Sequence, residues 1–293
     1  MIVVSTPTGS IGRQVLDTLV DTDTAVRVIV RDPARLDPRV RERAEVVQGS
    51  MTDVDVVTSA FTGADTVLWV VPPDPRAASI AGHVLDFVGP LCAGITTQGV
   101  RRVVGVSSLG RGIARNAGQI SAIFAMDDLV ESTGVHYRSL CMPGFMDNML
   151  RQVHPIRHQG VFYSTLPAGV RVPTCATRDI AAVAAGLLLD DTWTGQQNVP
   201  VLGPEDLSDD ELAEIMTEVL QRPVRAQQVP AEAYKASLVD HGLSDAWAQG
   251  LVDMSAAVQT GIYAVEPGTS RAATPTTFRQ WCTDVLRPAV LAA

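Results

Sequence analysis

The chain has 293 residues, of which 46% are hydrophobic and 19% are charged, so it carries enough apolar material for a large core. Its formal net charge of −9 at pH 7 argues against nucleic acid or an anionic membrane surface as a partner. No apolar run reaches the ~18 residues of a membrane span, and the first residues lack the charged segment of a signal peptide, so we expect a cytoplasmic protein. We expect reduced, buried thiols because the four cysteines lie far apart (Cys92, Cys141, Cys175 and Cys282).

The first twelve residues predict a strand, a turn and a helix in immediate succession. An apolar run at residues 2–4 enters a turn rich in threonine and glycine, and a helical pattern follows near residues 11–20. In dinucleotide-binding folds this arrangement places a pyrophosphate on the N-terminus of the helix. The alternative is an ordinary tight turn, since Thr6 stands where the looser form of the motif, G-x-x-G-x-x-G, has its first glycine. The residues predicted to bind cofactor here are Thr6, Thr8, Gly9, Ser10, Ile11 and Gly12.

Strand-like apolar runs alternate with helical stretches through the first half of the chain. Six strand candidates occur by residue 140, near residues 2–4, 26–30, 45–48, 66–71, 103–106 and 137–140. Repeated βα units with short apolar strands predict an α/β fold, with a doubly wound parallel Rossmann sheet over residues 1–150. Residues 151–293 predict a smaller, mostly helical substrate-binding portion, in which Ser208 and Glu211 form a capping-box sequence. We expect the chain to return to the first domain near residues 170–200.

The second predicted strand ends at basic residues that suit NADP. Its carboxyl end runs into Arg31, and Arg35 follows four residues later. An arginine at this place suits the 2′-phosphate of NADP(H), whereas Asp32 beside it could hold a ribose hydroxyl of NAD instead. We therefore predict NADP(H) as the cofactor. By topology alone, the adenosine half of the site should also contact Ser50, Met51, Val71 and Pro72.

Several segments, in order, resemble the NmrA-like family of atypical short-chain dehydrogenases/reductases. The motifs are T-G-x-x-G at residues 8–12, R-D-P at 31–33, G-x-D-x-V at 63–67, T-G-x-x-Y at 133–137, F-M-x-N at 145–148, D-I-A at 179–181 and G-P-E at 203–205. The resemblance implies a Rossmann domain that binds NADP(H) and a small helical substrate domain. It also implies either an NAD(P)H-dependent reductase of quinones or small aromatic molecules, or a regulator that senses the cofactor without chemistry.

The catalytic tyrosine–lysine pair of classical short-chain dehydrogenases is absent. The only lysine of the chain, Lys235, lies far from the expected region. A tyrosine without a neighbouring cation is a poor acid near neutral pH. The catalytic candidates are instead Ser107 and Ser108, which close the fifth predicted strand where a nicotinamide ring would lie. The alternative is that small residues are needed there for clearance of the cofactor.

Substrate contacts are predicted from Phe145, Asn148 and His154. His154 and His158 are four residues apart, which on a helix would place them on one face. We predict no metal site, because the H-E-x-x-H motif is absent and Pro155 is expected to interrupt the helix.

We predict an NADPH-dependent reductase of a small aromatic or quinone-like molecule, which includes a tailoring step in biosynthesis. A quinone can take its protons from water, so hydride delivery needs orientation by the fold rather than a strong acid. Two alternatives stay open: a regulatory protein that senses NADP(H) without catalysis, and a tailoring enzyme on the same fold without net redox chemistry. A homodimer is also left open.

Overall fold

The computed structural model describes residues 1–113, 116–264, 269–271 and 273–292. They form two compact units whose segments alternate along the chain. The first unit holds Met1–Ser108, Ile120–Cys141 and Ile180–Pro200, and the second holds Leu109–Gln119, Met142–Asp179 and Val201–Ala293. In this division the chain enters the second unit briefly over residues 109–119, enters it again after residue 141, and lies in the first unit over residues 180–200.

In the described residues the strands are β1 (Ile2–Val4), β2 (Val26–Val30), β3 (Glu45–Gln48), β4 (Thr66–Trp69), β5 (Arg102–Ser108), β6 (His136–Met142), β7 (Gly144–Phe145), β8 (Val161–Ser164), β9 (Val172–Cys175), β10 (Gln196–Pro200), β11 (Asp206–Leu207) and β12 (Arg225–Gln228). The α-helices are α1 (Ser10–Leu19), α2 (Pro38–Arg43), α3 (Val54–Phe61), α4 (Ile80–Gln98), α5 (Gln119–Ser132), α6 (Val153–Gln159), α7 (Thr177–Leu189), α8 (Asp209–Leu220), α9 (Ala231–Asp240), α10 (Asp245–Gln259), α11 (Phe278–Trp281) and α12 (Arg287–Ala292). Shorter 3-10 helices cover Pro33–Arg35 and Met146–Gln152.

The first unit is built on a seven-stranded sheet with the strand order β10-β6-β5-β4-β1-β2-β3. The pairs β1–β2, β2–β3, β1–β4, β4–β5 and β6–β10 are parallel. The chain runs outward from β1 to β2 and β3, then crosses back to β4 on the other side of β1. The predicted doubly wound parallel sheet is confirmed, and its topological switch point, where such folds bind ligands, lies between β1 and β4.

The central strands are mostly apolar because a doubly wound sheet is covered on both faces. Every residue of β1, β2 and β4 is buried. The charged Arg27 of β2 keeps its hydrogen bonds in this setting, because its guanidinium donates to the carbonyl oxygens of Ala60 and Thr62 and pairs with Glu45 at 2.8 Å. The buried charge of Arg27 is thus paired with Glu45.

Helix α4 is the one helix in the described part of the chain that is long and apolar enough to cross a membrane. Its residues Val84, Val88, Leu91 and Ile95 belong to the buried core cluster of the first unit, which also contains Phe61 of α3. We therefore assign α4 to the core that covers the sheet.

The second unit has a core of its own. Its largest buried side chains include Phe162, Met216, Phe278 and Trp281, each at most 2% exposed. Helices make up most of this unit, as predicted. Two small sheets, β11-β9-β7 and β12-β8, were not predicted. Their strands are two to four residues long, and β12 consists of Arg-Ala-Gln-Gln, which has no apolar alternation to reveal it.

Helix α6 runs through Pro155, so the expected interruption of this helix is wrong. Pro155 stands in the first turn, where a backbone N–H has no intrahelical acceptor to lose, and proline is tolerated there. The rings of His154 and His158 lie on one face with centroids 4.5 Å apart. In the described ranges no group of three or more His, Cys, Asp or Glu side chains is placed to hold a metal ion.

The four cysteines all lie in the described ranges, and none of them forms a disulfide bond there. Cys141, Cys175 and Cys282 are buried, and Cys92 is partly exposed. Burial raises the pKa of the Cys175 thiol, and it raises the pKa of Cys282 to about 12. These two thiols stay protonated near neutral pH and are therefore poor nucleophiles.

Candidate cofactor site

The turn between β1 and α1 consists of residues 5–9. The backbone N–H of Gly9 donates to the carbonyl oxygen of Thr6 at 3.0 Å, which closes the turn. Gly9 is also the N-cap of α1, and no side chain caps the helix there. The first N–H groups of an α-helix have no intrahelical acceptor, and together with the helix dipole they favour an anion. The turn therefore has the chemistry needed to hold a pyrophosphate.

Thr6 has a backbone φ of 45°, which lies in the left-handed region that glycine occupies without steric cost. This explains why the dinucleotide motif has a glycine at this place. A β-branched residue there carries strain of about 1–3 kcal/mol. The Thr6 hydroxyl is buried and has no hydrogen-bond partner among the described residues. A buried hydroxyl that lacks a partner in the turn fits a bound pyrophosphate, whose oxygens would accept its proton.

Thr6→Gly is expected to stabilise the free protein by about 1 kcal/mol, because relief of the strained φ outweighs the backbone entropy of glycine. The gain should shrink when NADPH is bound, since the threonine hydroxyl then has a partner. Thermal unfolding with and without NADPH measures both effects. Thr6→Ala, which removes the hydroxyl but keeps a Cβ at positive φ, is the matched control and should gain less. A lower melting temperature for free Thr6→Gly would contradict this account of the turn.

Helix α1 lies close against the turn because Gly12 has no side chain. A Cβ at Gly12 would lie 2.3 Å from the carbonyl oxygen of Thr6 and 3.0 Å from its carbonyl carbon. Ser5 fixes the other side of the turn, since its fully buried hydroxyl accepts from the N–H of Val70 at 2.8 Å. The N–H of Ser5 donates to the carbonyl oxygen of Leu68 at 3.0 Å. These bonds tie the end of β1 to the end of β4 across the switch point.

The turn lines a cleft of about 930 Å³ within the first unit. This volume suits a bound cofactor of dinucleotide size. Eight of the twelve predicted cofactor residues line the cleft: Thr6, Thr8, Gly9, Arg31, Arg35, Ser50, Met51 and Pro72. The other four, Ser10, Ile11, Gly12 and Val71, are not part of its lining. Ile11 and Gly12 are buried in α1, where they bring the helix end to the turn.

Arg31 and Arg35 are exposed in the same cleft, and neither forms an ion pair in the part of the chain that is described. Asp32 is the alternative partner for a ribose hydroxyl. One oxygen of its carboxylate accepts from the N–H of Ala34 at 3.0 Å and caps the short helix Pro33–Arg35. The two guanidinium groups are cationic and suit an anion such as a 2′-phosphate.

Four of the other cleft residues lie beyond the segments in which cofactor contacts were predicted: Asp74, His83, Asp86 and Phe87. Three of them lie in the first two turns of α4, where the His83 and Phe87 rings are 5.0 Å apart. The imidazole Nε2 of His83 lies 2.7 Å from the carbonyl oxygen of Pro72, so it steadies the segment after β4. Positions 83 and 87 are spaced to share a helix face, but no sequence signal shows that this face borders the cleft.

Ser107 and Ser108 lie at the carboxyl end of β5, next to β4 in the sheet, and are 7% and 9% exposed. The Ser107 hydroxyl donates to the carboxylate of Asp127 at 2.5 Å. The Tyr137 hydroxyl donates to the same carboxylate at 2.7 Å. Burial, followed by the nearby charge of Asp127, raises the pKa of Tyr137 well above its usual range. Tyr137 is therefore unsuited to proton transfer near neutral pH.

The predicted substrate residues belong to the second unit. Phe145 is half-buried in β7, Asn148 is exposed in the 3-10 helix Met146–Gln152, and His154 is exposed in α6. Between them, Asp147 accepts from the N–H and hydroxyl of Thr177 at 3.0 and 2.9 Å, which ties this segment to the start of α7. The contact of these three residues with a substrate stays a prediction.

Residues 7–191 match the model of a protein family described as NAD(P)H-binding. The chain belongs to this family. The matched range contains the end of β5 and the cleft residues other than Thr6, so the family model covers most of the residues from which the site is built. The predicted nicotinamide dinucleotide cofactor is confirmed at the level of NAD(P)(H).

Sequence relatives of this NAD(P)H-binding protein include a reductase, and solved structures that share its fold include a reductase and a regulator. An NAD(P)H azoreductase from Xenophilus azovorans is 28% identical over 87% of this chain and 86% of the relative. A solved NADPH-dependent quinone oxidoreductase from Escherichia coli, in complex with NADPH, matches with a TM-score of 0.80 at 22% identity, covering 100% of this chain and 99% of that one. The structure of NmrA, a negative transcriptional regulator in complex with NADP, matches with a TM-score of 0.75 at 13% identity, covering 99% of this chain and 97% of that one.

The family match and the shared fold with the NmrA structure agree with the predicted NmrA-like group of atypical short-chain dehydrogenases/reductases, and the reductase name of the azoreductase relative is consistent with an NAD(P)H-dependent oxidoreductase.

Proposed function

We propose that this protein binds NADPH and uses it to reduce a small aromatic or quinone-like molecule. The observation that carries the preference for NADPH is the pair of exposed guanidinium groups, Arg31 and Arg35, in the cleft beside an Asp32 that is engaged in capping. In the dinucleotide-binding fold this place meets the adenosine ribose. The azoreductase and quinone oxidoreductase relatives support an aromatic or quinone-like substrate.

Different residues around the switch point between β1 and β4 would bind different parts of the cofactor. The N-terminus of α1 and the Thr6 hydroxyl would hold the pyrophosphate. Arg31 and Arg35 would hold the 2′-phosphate on the side of β2. The carboxyl end of β5, on the other side, would border the nicotinamide half. The bound cofactor supplies the hydride, and the protein supplies binding and orientation. A quinone takes its protons from water, so no buried acid is required.

Arg31→Ala is expected to weaken NADPH binding by about 10-fold to 100-fold, the value of one charge-assisted contact to phosphate. NADH has no 2′-phosphate, so its affinity should change by less than about 2-fold, and Arg35→Ala should show the same pattern. Titration of each variant with both cofactors measures the selectivity. Arg39→Ala is the matched control, because Arg39 is exposed, pairs with Asp21 at 2.5 Å and does not line the cleft. Equal losses for the two cofactors would overturn the assignment.

Turnover distinguishes the reductase from the two alternatives. NADPH oxidation is followed with a panel of quinones and azo dyes. Oxidation that depends on substrate supports the reductase. Tight NADPH binding without oxidation of any substrate in the panel would favour a sensing protein. Conversion of a substrate without net consumption of NADPH would favour a tailoring enzyme that has no net redox step.

A further inference from the structure

A fully buried carboxylate, Asp127 of α5, lies at the centre of a hydroxyl network in the first unit. One of its oxygens accepts from Ser107 at 2.5 Å and from Ser139 at 3.2 Å, and the other accepts from Tyr137 at 2.7 Å. Ser107 ends β5, while Tyr137 and Ser139 belong to β6. The carboxylate is thus bonded to two adjacent strands of the sheet, and its position is fixed.

The network decides what the Ser107 hydroxyl can do. A serine hydroxyl has one proton to donate and two lone pairs that accept. In Ser107 the proton is committed to Asp127, so only the lone pairs are left for a ligand. A carbonyl oxygen, which can only accept, has nothing to gain from Ser107. A carboxamide NH₂ group, which donates, is the matching partner.

We propose that Asp127 is a positioning residue that holds Ser107 as a hydrogen-bond acceptor for the carboxamide NH₂ of the nicotinamide. The inference rests on the proposed function, because it places the nicotinamide half of the cofactor at the carboxyl end of β5. It gives Ser107, predicted as a catalytic candidate at the nicotinamide end, a specific role as an acceptor. Ser107 then orients the nicotinamide ring whose hydride is transferred. Asp127 acts on the cofactor only through Ser107.

The structure around the network keeps this orientation. Tyr137 is 1% exposed and Ser139 is fully buried, so water does not compete for the carboxylate. The Tyr137 ring packs against Gly105 of β5, where a Cβ would lie 2.1 Å from the tyrosine hydroxyl oxygen. Gly105 is two residues before Ser107, so the strand that carries Ser107 also contacts the ring of Tyr137.

A comparison of two ligands distinguishes effects at the nicotinamide end from effects on the rest of the site. NADPH carries the carboxamide, whereas adenosine 2′,5′-bisphosphate keeps the adenosine and 2′-phosphate but lacks the nicotinamide. Ser107→Ala and Asp127→Ala are expected to weaken NADPH binding by about 5-fold to 10-fold, the value of one neutral hydrogen bond. Both variants should bind the bisphosphate within about 2-fold of the wild type. The fluorescence of bound NADPH, which reports the surroundings of the nicotinamide, should change in the same two variants.

Conservative and control variants separate positioning from a loss of structure. Asp127→Asn should restore NADPH binding to within about 3-fold of the wild type, because its amide oxygen can still accept from Ser107. Ser139→Ala removes a donor but leaves the Ser107–Asp127 bond, so it should lower stability and leave the ratio of the two affinities unchanged. If Asp127→Ala does not fold, Ser107→Ala alone decides.

Three results would overturn the proposal: equal weakening of both ligands in the variants, unchanged NADPH affinity in Ser107→Ala, or failure of Asp127→Asn to restore it. These results differ from failure of the proposed function, in which the wild type would bind neither ligand.

Discussion

A Gly12→Ala variant is expected to bind NADPH at least about 100-fold more weakly than the wild type and to lose about 3 kcal/mol of stability. The added Cβ would lie 2.3 Å from the carbonyl oxygen of Thr6 and 3.2 Å from that of Ser5. Both neighbours are backbone atoms of the turn, and Ser5 is bonded to the segment after β4, so neither can move aside cheaply. Helix α1 must shift away, and its N-terminus then no longer meets the pyrophosphate.

Calorimetric titration and thermal unfolding measure the two effects of Gly12→Ala. At this chain length a loss of 3 kcal/mol lowers the melting temperature by roughly 6–12 °C. Gly186→Ala is the matched control, because Gly186 lies in helix α7, where an added Cβ would have no other atom within 4 Å, and alanine should stabilise the helix by about 0.5–1 kcal/mol there. NADPH affinity within about 2-fold of the wild type in Gly12→Ala would show that close packing of α1 on the turn is not needed for binding.

A Gly105→Ala variant is expected to lose about 3 kcal/mol of stability. Its Cβ would lie 2.1 Å from the hydroxyl oxygen of Tyr137 and 2.8 Å from two ring carbons. The ring is 1% exposed and its hydroxyl is bonded to Asp127, so relief requires the tyrosine to leave the network. Denaturant unfolding measures the loss.

Removal of the tyrosine hydroxyl tests the cause of that loss. In Gly105→Ala/Tyr137→Phe the shortest overlap is gone, so the double variant should lose less than the sum of the two single variants. Gly144→Ala is the control for a strand glycine, since no atom lies within 4 Å of a Cβ at that position in β7, and it should change stability by less than about 0.5 kcal/mol. Strict additivity in the double variant would mean that the tyrosine hydroxyl is not the group that Gly105 accommodates.

Local signals predicted the elements that border the cofactor site. Helix α3 begins at Val54 because Asp53 caps it by accepting from the N–H of Asp55, and an apolar face follows. The position at which the sequence departs from the glycine motif was also informative about the backbone of the turn. Thr6 looked like a departure from the motif, yet it adopts the left-handed φ for which the motif uses glycine. The backbone of the turn is therefore retained without the glycine.

Long-range packing accounts for what the sequence did not show. Asp127 was not among the predicted site residues, although position 127 falls in the helical spacing of Ile120, Phe124 and Val130, which are all buried. An acidic residue among buried apolar residues at helical spacing is the one local signal of a buried hydrogen-bond network. The passage of residues 109–119 into the second unit and the cleft face of α4 had no such hint, because both depend on contacts between distant segments.

The most direct test of the central claim is a side-by-side titration of the wild-type protein with NADPH and NADH, followed by calorimetry or nicotinamide fluorescence. The cleft, the turn and the free guanidinium groups of Arg31 and Arg35 predict that NADPH binds tighter by about 10-fold or more. Equal affinities would contradict the assignment of the 2′-phosphate to these arginines. Failure of both cofactors to bind would contradict the assignment of the cleft itself.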